Sequence, residues 1–257
     1  VGEDAFQRGV HAYLQSHAFG NATADDLLAA VDAAAPGKDA TGLARPYLDR
    51  PGVPVVVVDS ADCGKTNVSL QTSELRFSPV GVSFADAGAP WKVPFCVEPD
   101  RGGKTTCSLL EGTGKTSAAG ACPTFSNPDA MGYYRTFWPK SSIAALVRKL
   151  GDASPGTRVA ALADAWAQVR SGKLGGDVLL REVLPAMDRE TDRHVIERLE
   201  NVLYELAETV DEPTWPSFAA YVRVRLAPHL ARLDRKAKLD DDEKLLRRSL
   251  LQADVAL

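Results

Sequence analysis

No run of about 18 apolar residues occurs in this 257-residue chain, so no segment has the length to cross a bilayer as a helix. Positive charge is not in excess. The 30 Lys and Arg residues stand against 34 Asp and Glu, which argues against nucleic acid, since that grip needs a basic stripe or patch. Histidine is scarce, and His11, His17, His194 and His229 are poorly spaced for metal work. A metalloprotease helix needs two histidines four apart, so that both face the metal, with glutamate directly after the first as general base. None of the four is followed by glutamate and no pair has that spacing, so surface or half-buried histidines are the simpler reading. A G-x-S-x-G elbow that could anchor a serine nucleophile is also missing. A Ser-His-Asp set drawn from distant residues stays open, but no catalytic, cofactor-binding or metal-ligating residue is assigned. The start, Val1-Gly2-Glu3-Asp4, lacks the basic residues and apolar stretch of a signal peptide. It reads as a place where a longer chain was cut.

What is present is ordinary for a globular protein: 45% hydrophobic and 25% charged residues, with a formal charge of −4. Three G-K-T triplets, Gly64-Lys65-Thr66, Gly103-Lys104-Thr105 and Gly114-Lys115-Thr116, invite a nucleotide reading. A phosphate-binding loop needs another glycine five positions earlier, so that backbone N–H groups wrap the phosphates. Those positions hold Asp59, Glu98 and Leu109, and hairpin turns explain the triplets better. Asn21-Ala22-Thr23 and Asn67-Val68-Ser69 match the glycosylation acceptor. The richness in Ala, Arg and Asp has a bacterial look, so these sites carry little weight.

The four cysteines, Cys63, Cys96, Cys107 and Cys122, fall in one stretch, with no C-x-x-C spacing and no histidine among them. That pattern speaks against zinc and for one or two disulfides in an exported protein, periplasmic, cell-surface or secreted. Three full pairings are open, as are free buried thiols. Cys96 with Cys107 is favoured, because both lie in strands flanking the turn at Pro99 to Gly103, which leaves Cys63 with Cys122.

Three textures follow one another along the chain. Residues 1–50 read as helical: Phe6, Val10, Tyr13 and Leu14 recur at helical steps, and Leu27, Leu28 and Val31 mark a second helix. Thr23 is its expected N-cap, with Asp25 and Asp26 suiting the helix dipole. Residues 51–139 read as short strands with Gly-rich turns, an antiparallel β-sandwich. They begin with the β-branched run Val55 to Val58, where Pro54 marks an edge strand or a first strand residue. Residues 140–257 read as about six helices in a superhelical, HEAT- or armadillo-like stack, whose completeness stays open. The fold class is thus α+β with three parts. The charged segment Arg235 to Lys244 reads as a solvated helix connection.

The order of motifs resembles the aminopeptidase N family. The helices with Phe6, Gly9, Tyr13, Phe19, Asn21, Ala22 and Thr23 look like the last ones of that family's catalytic domain. Pro51-Gly52-Val53-Pro54-Val55, Arg76-Phe77, Trp91-Lys92-Val93-Pro94, and Asn127 with Gly132-Tyr133-Tyr134-Arg135-Thr136 follow in the family's order. The chain departs from it where Tyr47 stands for tryptophan, Glu74 for glutamine and Thr136 for valine. The resemblance is carried by residues 1–140 and only by helical character beyond.

It implies that residues 1–50 end a thermolysin-like catalytic domain, and that the sandwich is a spacer and the helices an active-site lid. The parent enzyme would use Zn2+ to remove N-terminal residues from peptides. The family's H-E-x-x-H and G-A-M-E-N motifs do not occur in these 257 residues, so this chain alone is expected to be inactive and to carry no cofactor. Its expected partners are the catalytic domain of the same polypeptide and, in the parent, peptide substrates. Helices shaped to pack on that domain should expose an apolar face, so self-association through residues 1–50 is expected. A stand-alone β-sandwich and helical module that binds a partner protein is the alternative.

Overall fold

The computed structural model describes residues 1–61, 67–83, 91–99, 103–119 and 125–256. The chain opens with α1 (Glu3–Ser16), α2 (Ala24–Ala34) and α3 (Ala40–Asp49). Thr23 caps α2 as its sequence suggests: its hydroxyl accepts from Asp26 N while Thr23 N donates back to the Asp26 carboxylate at 2.8 Å. α1 crosses α2 at Gly9, where a β-carbon would lie 2.8 Å from the Val31 Cα. Sequence periodicity does not separate out α3, because Pro46 sits inside it.

Among the described residues seven strands follow: β1 (Pro54–Ala61), β2 (Asn67–Arg76), β3 (Lys92–Glu98), β4 (Thr106–Glu111), β5 (Gly114–Ala119), β6 (Phe125–Ser126) and β7 (Arg135–Phe137). They form a four-stranded sheet, β5-β2-β1-β7, and a three-stranded sheet, β4-β3-β6. Of the two readings of Pro54, the structure has the first strand residue, for β1 is central in its sheet. All pairings are antiparallel except one: β7 runs parallel to β1, with Val55, Val56 and Val57 opposite Arg135, Thr136 and Phe137. A parallel partner needs a long return of the chain, and here that return runs through β2 to β6.

The uninterrupted valines of β1 have a direct cause. Val56 and Val58 enter the main core, while Val55 and Val57 pack on the other face with Phe77, Phe137 and Ala167. A strand covered on both faces has no polar side to show. β3 alternates instead: Val93, Phe95 and Val97 are fully buried, and Lys92, Pro94, Cys96 and Glu98 turn away from the core.

Helices α4 (Lys140–Lys149) and α5 (Pro155–Arg170) come next, with Pro155 in the first turn of α5, where its missing N–H costs nothing. A short α6 (Gly176–Val178) leads into a wider turn at Leu179–Val183 and a tighter one at Leu184–Met187, the latter containing Pro185. α7 (Arg193–Ala207), α8 (Trp215–Asp234) and α9 (Asp241–Ala256) follow, and Pro228 lies inside α8. α5 is buried on nearly every side because it sits between the larger sheet and the other helices. One continuous apolar cluster joins both sheets to α4 through α9. The charged connection between α8 and α9 is mostly exposed, with Lys236 paired to Glu243 and Arg247 to Asp234.

Candidate functional site

The residues that carry the family resemblance gather at joints between elements. Trp91, almost fully buried, is the first joint. Its indole N–H donates to Pro46 O of α3 at 3.1 Å, and its backbone N–H to Glu74 Oε1 at 2.7 Å. The Arg50 guanidinium lies 3.9 Å from the centre of its ring and that of Arg76 5.5 Å, close enough for cation–π attraction. Tyr47 adds a hydrogen bond from its hydroxyl to Lys92 O at 3.4 Å. Burial, then the charge of Glu74, pushes the Tyr47 hydroxyl up to about 12. Burial also raises the Glu74 carboxyl, although the Trp91 N–H works the other way. Two departures from the family pattern, Tyr47 and Glu74, thus have polar partners at this joint.

Beyond it opens a groove of about 790 Å3 between α3, the β3–β4 hairpin and the turn at 127–132, with Leu48, Met131 and Tyr133 on its walls. Tyr47 and Tyr133 meet edge to face, 6.2 Å between ring centres. The turn is held in an uncommon shape: Asn127, Asp129 and Ala130 have φ of 51°, 56° and 57°. Asn127 grips it by donating to Gly132 O at 2.9 Å and accepting from Gly132 N at 2.6 Å. Only glycine fits at 132, because a β-carbon there would lie 2.2 Å from the Tyr134 ring. Tyr134 is buried and exchanges hydrogen bonds with the Cys96 backbone at 3.2 and 3.4 Å. Burial pushes its hydroxyl up to about 12.

Cys96 and Cys107 border the same groove as directly opposed residues of β3 and β4, and are joined with their Cα atoms 4.1 Å apart. Cys63, Cys122, Gly64-Lys65-Thr66 and most of the turn at Pro99 to Gly103 lie outside the described residues. Gly114-Lys115-Thr116 opens β5, and Gly103-Lys104-Thr105 precedes β4; neither opens a helix. His11 and His194 are exposed on separate helices, and His229 is buried in α8, where desolvation lowers its pKa. Among the described residues no group of three or more His, Cys, Asp or Glu is arranged to hold a metal ion. The zinc implied by the resemblance therefore finds no fitting ligand set among them. No described helix is long and apolar enough to cross a membrane.

Sequence reasoning did not single out Arg50, or Asp164 and Gln168 of α5. The available signal was two polar residues, four apart, in an alanine-rich helix that has little other polarity.

Comparison with known proteins points the same way as the joints. Residues 125–256 match the family model described as the ERAP1-like C-terminal domain. Aminopeptidase N of Streptomyces lividans is 27% identical over 214 residues, covering 77% of this chain and 25% of that protein. Probable M1 family aminopeptidase 1 of Encephalitozoon cuniculi is 27% identical over 166 residues, 65% of this chain and 18% of that protein. Tricorn protease-interacting factor F2 of Thermoplasma volcanium is 22% identical over 255 residues, 99% of this chain and 30% of that protein. The chain spans less than a third of the length of these relatives.

Proposed function

Because the chain belongs to the ERAP1-like C-terminal domain family and is a C-terminal portion of an M1-type aminopeptidase, we propose that it is the non-catalytic spacer and lid of a zinc-dependent enzyme. That enzyme removes N-terminal residues from peptides. The observation that carries this reading is the use made of the motif residues. Trp91, Arg76, Tyr134 and Arg135 are spent on binding elements to one another, Asn127 and Gly132 fix their own turn, and among the described residues no group of three or more His, Cys, Asp or Glu is arranged to hold a metal ion.

In this reading residues 1–50 finish a thermolysin-like catalytic domain, residues 51–139 form a β-sandwich spacer, and residues 140–257 form a superhelical array that limits substrate access. The zinc, its ligands and the groups that hold the substrate amine belong to the rest of the polypeptide. That remainder packs on the apolar side of α1 to α3, where Phe6, Leu14 and Leu48 are exposed. With that cover missing, the chain self-associates through the same side. The Cys96–Cys107 bond suits export to the periplasm, the cell surface or the medium.

A direct test is enzymatic. The pure chain, given zinc, should release no product from an alanyl chromogenic substrate. Robust zinc-dependent turnover would overturn the reading.

A further inference from the structure

β7 is three residues long and lies at the outer edge of its sheet, with β1 on its inner side. The N–H and C=O groups on such an edge need partners once they are buried. α5 runs past this edge in place of another strand, and two of its side chains supply the partners. Thr136 N donates to Asp164 Oδ2 at 3.0 Å. Trp138 N donates to Gln168 Oε1 at 3.3 Å, and Gln168 Nε2 donates back to Trp138 O at 3.0 Å. The spacings match: two residues along a strand advance about 6.6 Å, and four along a helix advance about 6 Å. Thr136, Trp138, Asp164 and Gln168 are all buried.

The Asp164 end of this clasp is ionisable. Arg135 Nη1 lies 3.4 Å from Asp164 Oδ1, and Arg198 of α7 also bears on the carboxylate. Tyr134 is the other titratable group coupled to it, and it keeps its own proton far above neutrality. A cavity of about 50 Å3 beside Asp164, lined by residues including Ser126, Trp138, Thr157 and Gln168, adds no further ionisable side chain. Burial pushes the Asp164 carboxyl up to about 7, against the pull of Arg135 and the Thr136 N–H.

We propose that Asp164 and Gln168 form a latch fixing α5 to the edge of β7, and that opening of this joint is coupled to loss of the Asp164 proton. The latch does not depend on what the whole protein acts on. In the closed joint Asp164 keeps its proton up to about pH 7; in an open joint it meets water and titrates near its ordinary 3.8. Opening therefore releases a proton. It is least favourable below pH 3.8, becomes easier as pH rises, and levels off above 7. From about pH 5.5 to about pH 8 the opening constant should rise about thirtyfold.

Hydrogen exchange of the Thr136 and Trp138 amides in the full 257-residue chain, corrected for the intrinsic pH dependence of exchange, reads this constant. Wild-type protection should fall about thirtyfold across that range, while Asp164→Asn should stay level within about twofold. Gln168→Leu should lower Trp138 protection by a constant factor at every pH and leave the slope intact. A level wild-type profile, or a slope that survives Asp164→Asn, would overturn the latch. Should Asp164→Asn not fold, the wild-type Asp164 carboxyl carbon can be titrated by NMR. A midpoint well above the ordinary carboxylate range is expected, and one at or below 3.8 overturns the proposal.

Discussion

Phe6 and Leu14 of α1 keep 52% and 60% of their surface exposed, whereas Val195, Ile196, Leu199, Val202 and Leu203 of α7 keep none. Both helices carry an apolar stripe at 3- and 4-residue steps. In α7 that stripe meets the main core. In α1 only Gly9 is buried, and α3 has no buried residue at all. An amphipathic pattern declares that a helix needs a cover without saying what the cover is. Under the reading offered above, α7 finds its cover within this chain and α1 to α3 find theirs on the rest of the polypeptide.

Equal truncations in the two helices should therefore cost unequal amounts. Leu199→Ala should destabilise the chain by about 3 to 4 kcal/mol, as a cavity in a closed core does. Phe6→Ala should cost no more than about 0.5 kcal/mol, as at an exposed site. Denaturant unfolding of both variants measures this, and similar costs would break the comparison.

The strands between the two regions sharpen it. Removing the Cys96–Cys107 bond with the paired changes Cys96→Ser and Cys107→Ser frees a loop of sequence separation 11. The loss should be about 2 to 3 kcal/mol, from the added freedom of the unfolded chain. Reducing the wild type and comparing its thermal midpoint gives the same quantity independently. Thr136→Val should act in the opposite sense. The Thr136 hydroxyl is fully buried with no hydrogen-bond partner among the described residues, so a methyl group in its place should stabilise by about 1 kcal/mol.

The smallest effect on stability is expected from Leu14→Ser together with Phe6→Ser, within about 0.5 kcal/mol. Their effect should appear instead as weaker self-association in sedimentation, which α7 substitutions that preserve folding should leave alone.

Much of this architecture can be read from local chemistry. The Thr23–Asp26 capping box marks the start of α2, the valine run marks β1, and the alternation from Trp91 to Val97 marks β3. What escaped depends on distant pairing. β5, built of Gly, Lys, Thr, Ser and Ala, has weak strand preference and exists because β2 offers it a partner. The parallel seat of β7 is set by residues about eighty positions back in β1, Val55 facing Arg135 and Val57 facing Phe137. Asp164 and Gln168 look unremarkable in sequence, since their role appears only when β7 lies alongside. The Trp91 joint was half legible: the motif named Arg76 and Trp91, but Arg50 joins them only through the fold.

The comparison between α1 and α7 is tested most directly by hydrogen exchange on their amides, in this chain alone and within the longer aminopeptidase polypeptide. The account predicts that α1 and α3 exchange far more slowly in the longer polypeptide, while α7 is unchanged. Equal exchange of α1 in both would contradict it, for no other part of the protein would then be covering that face.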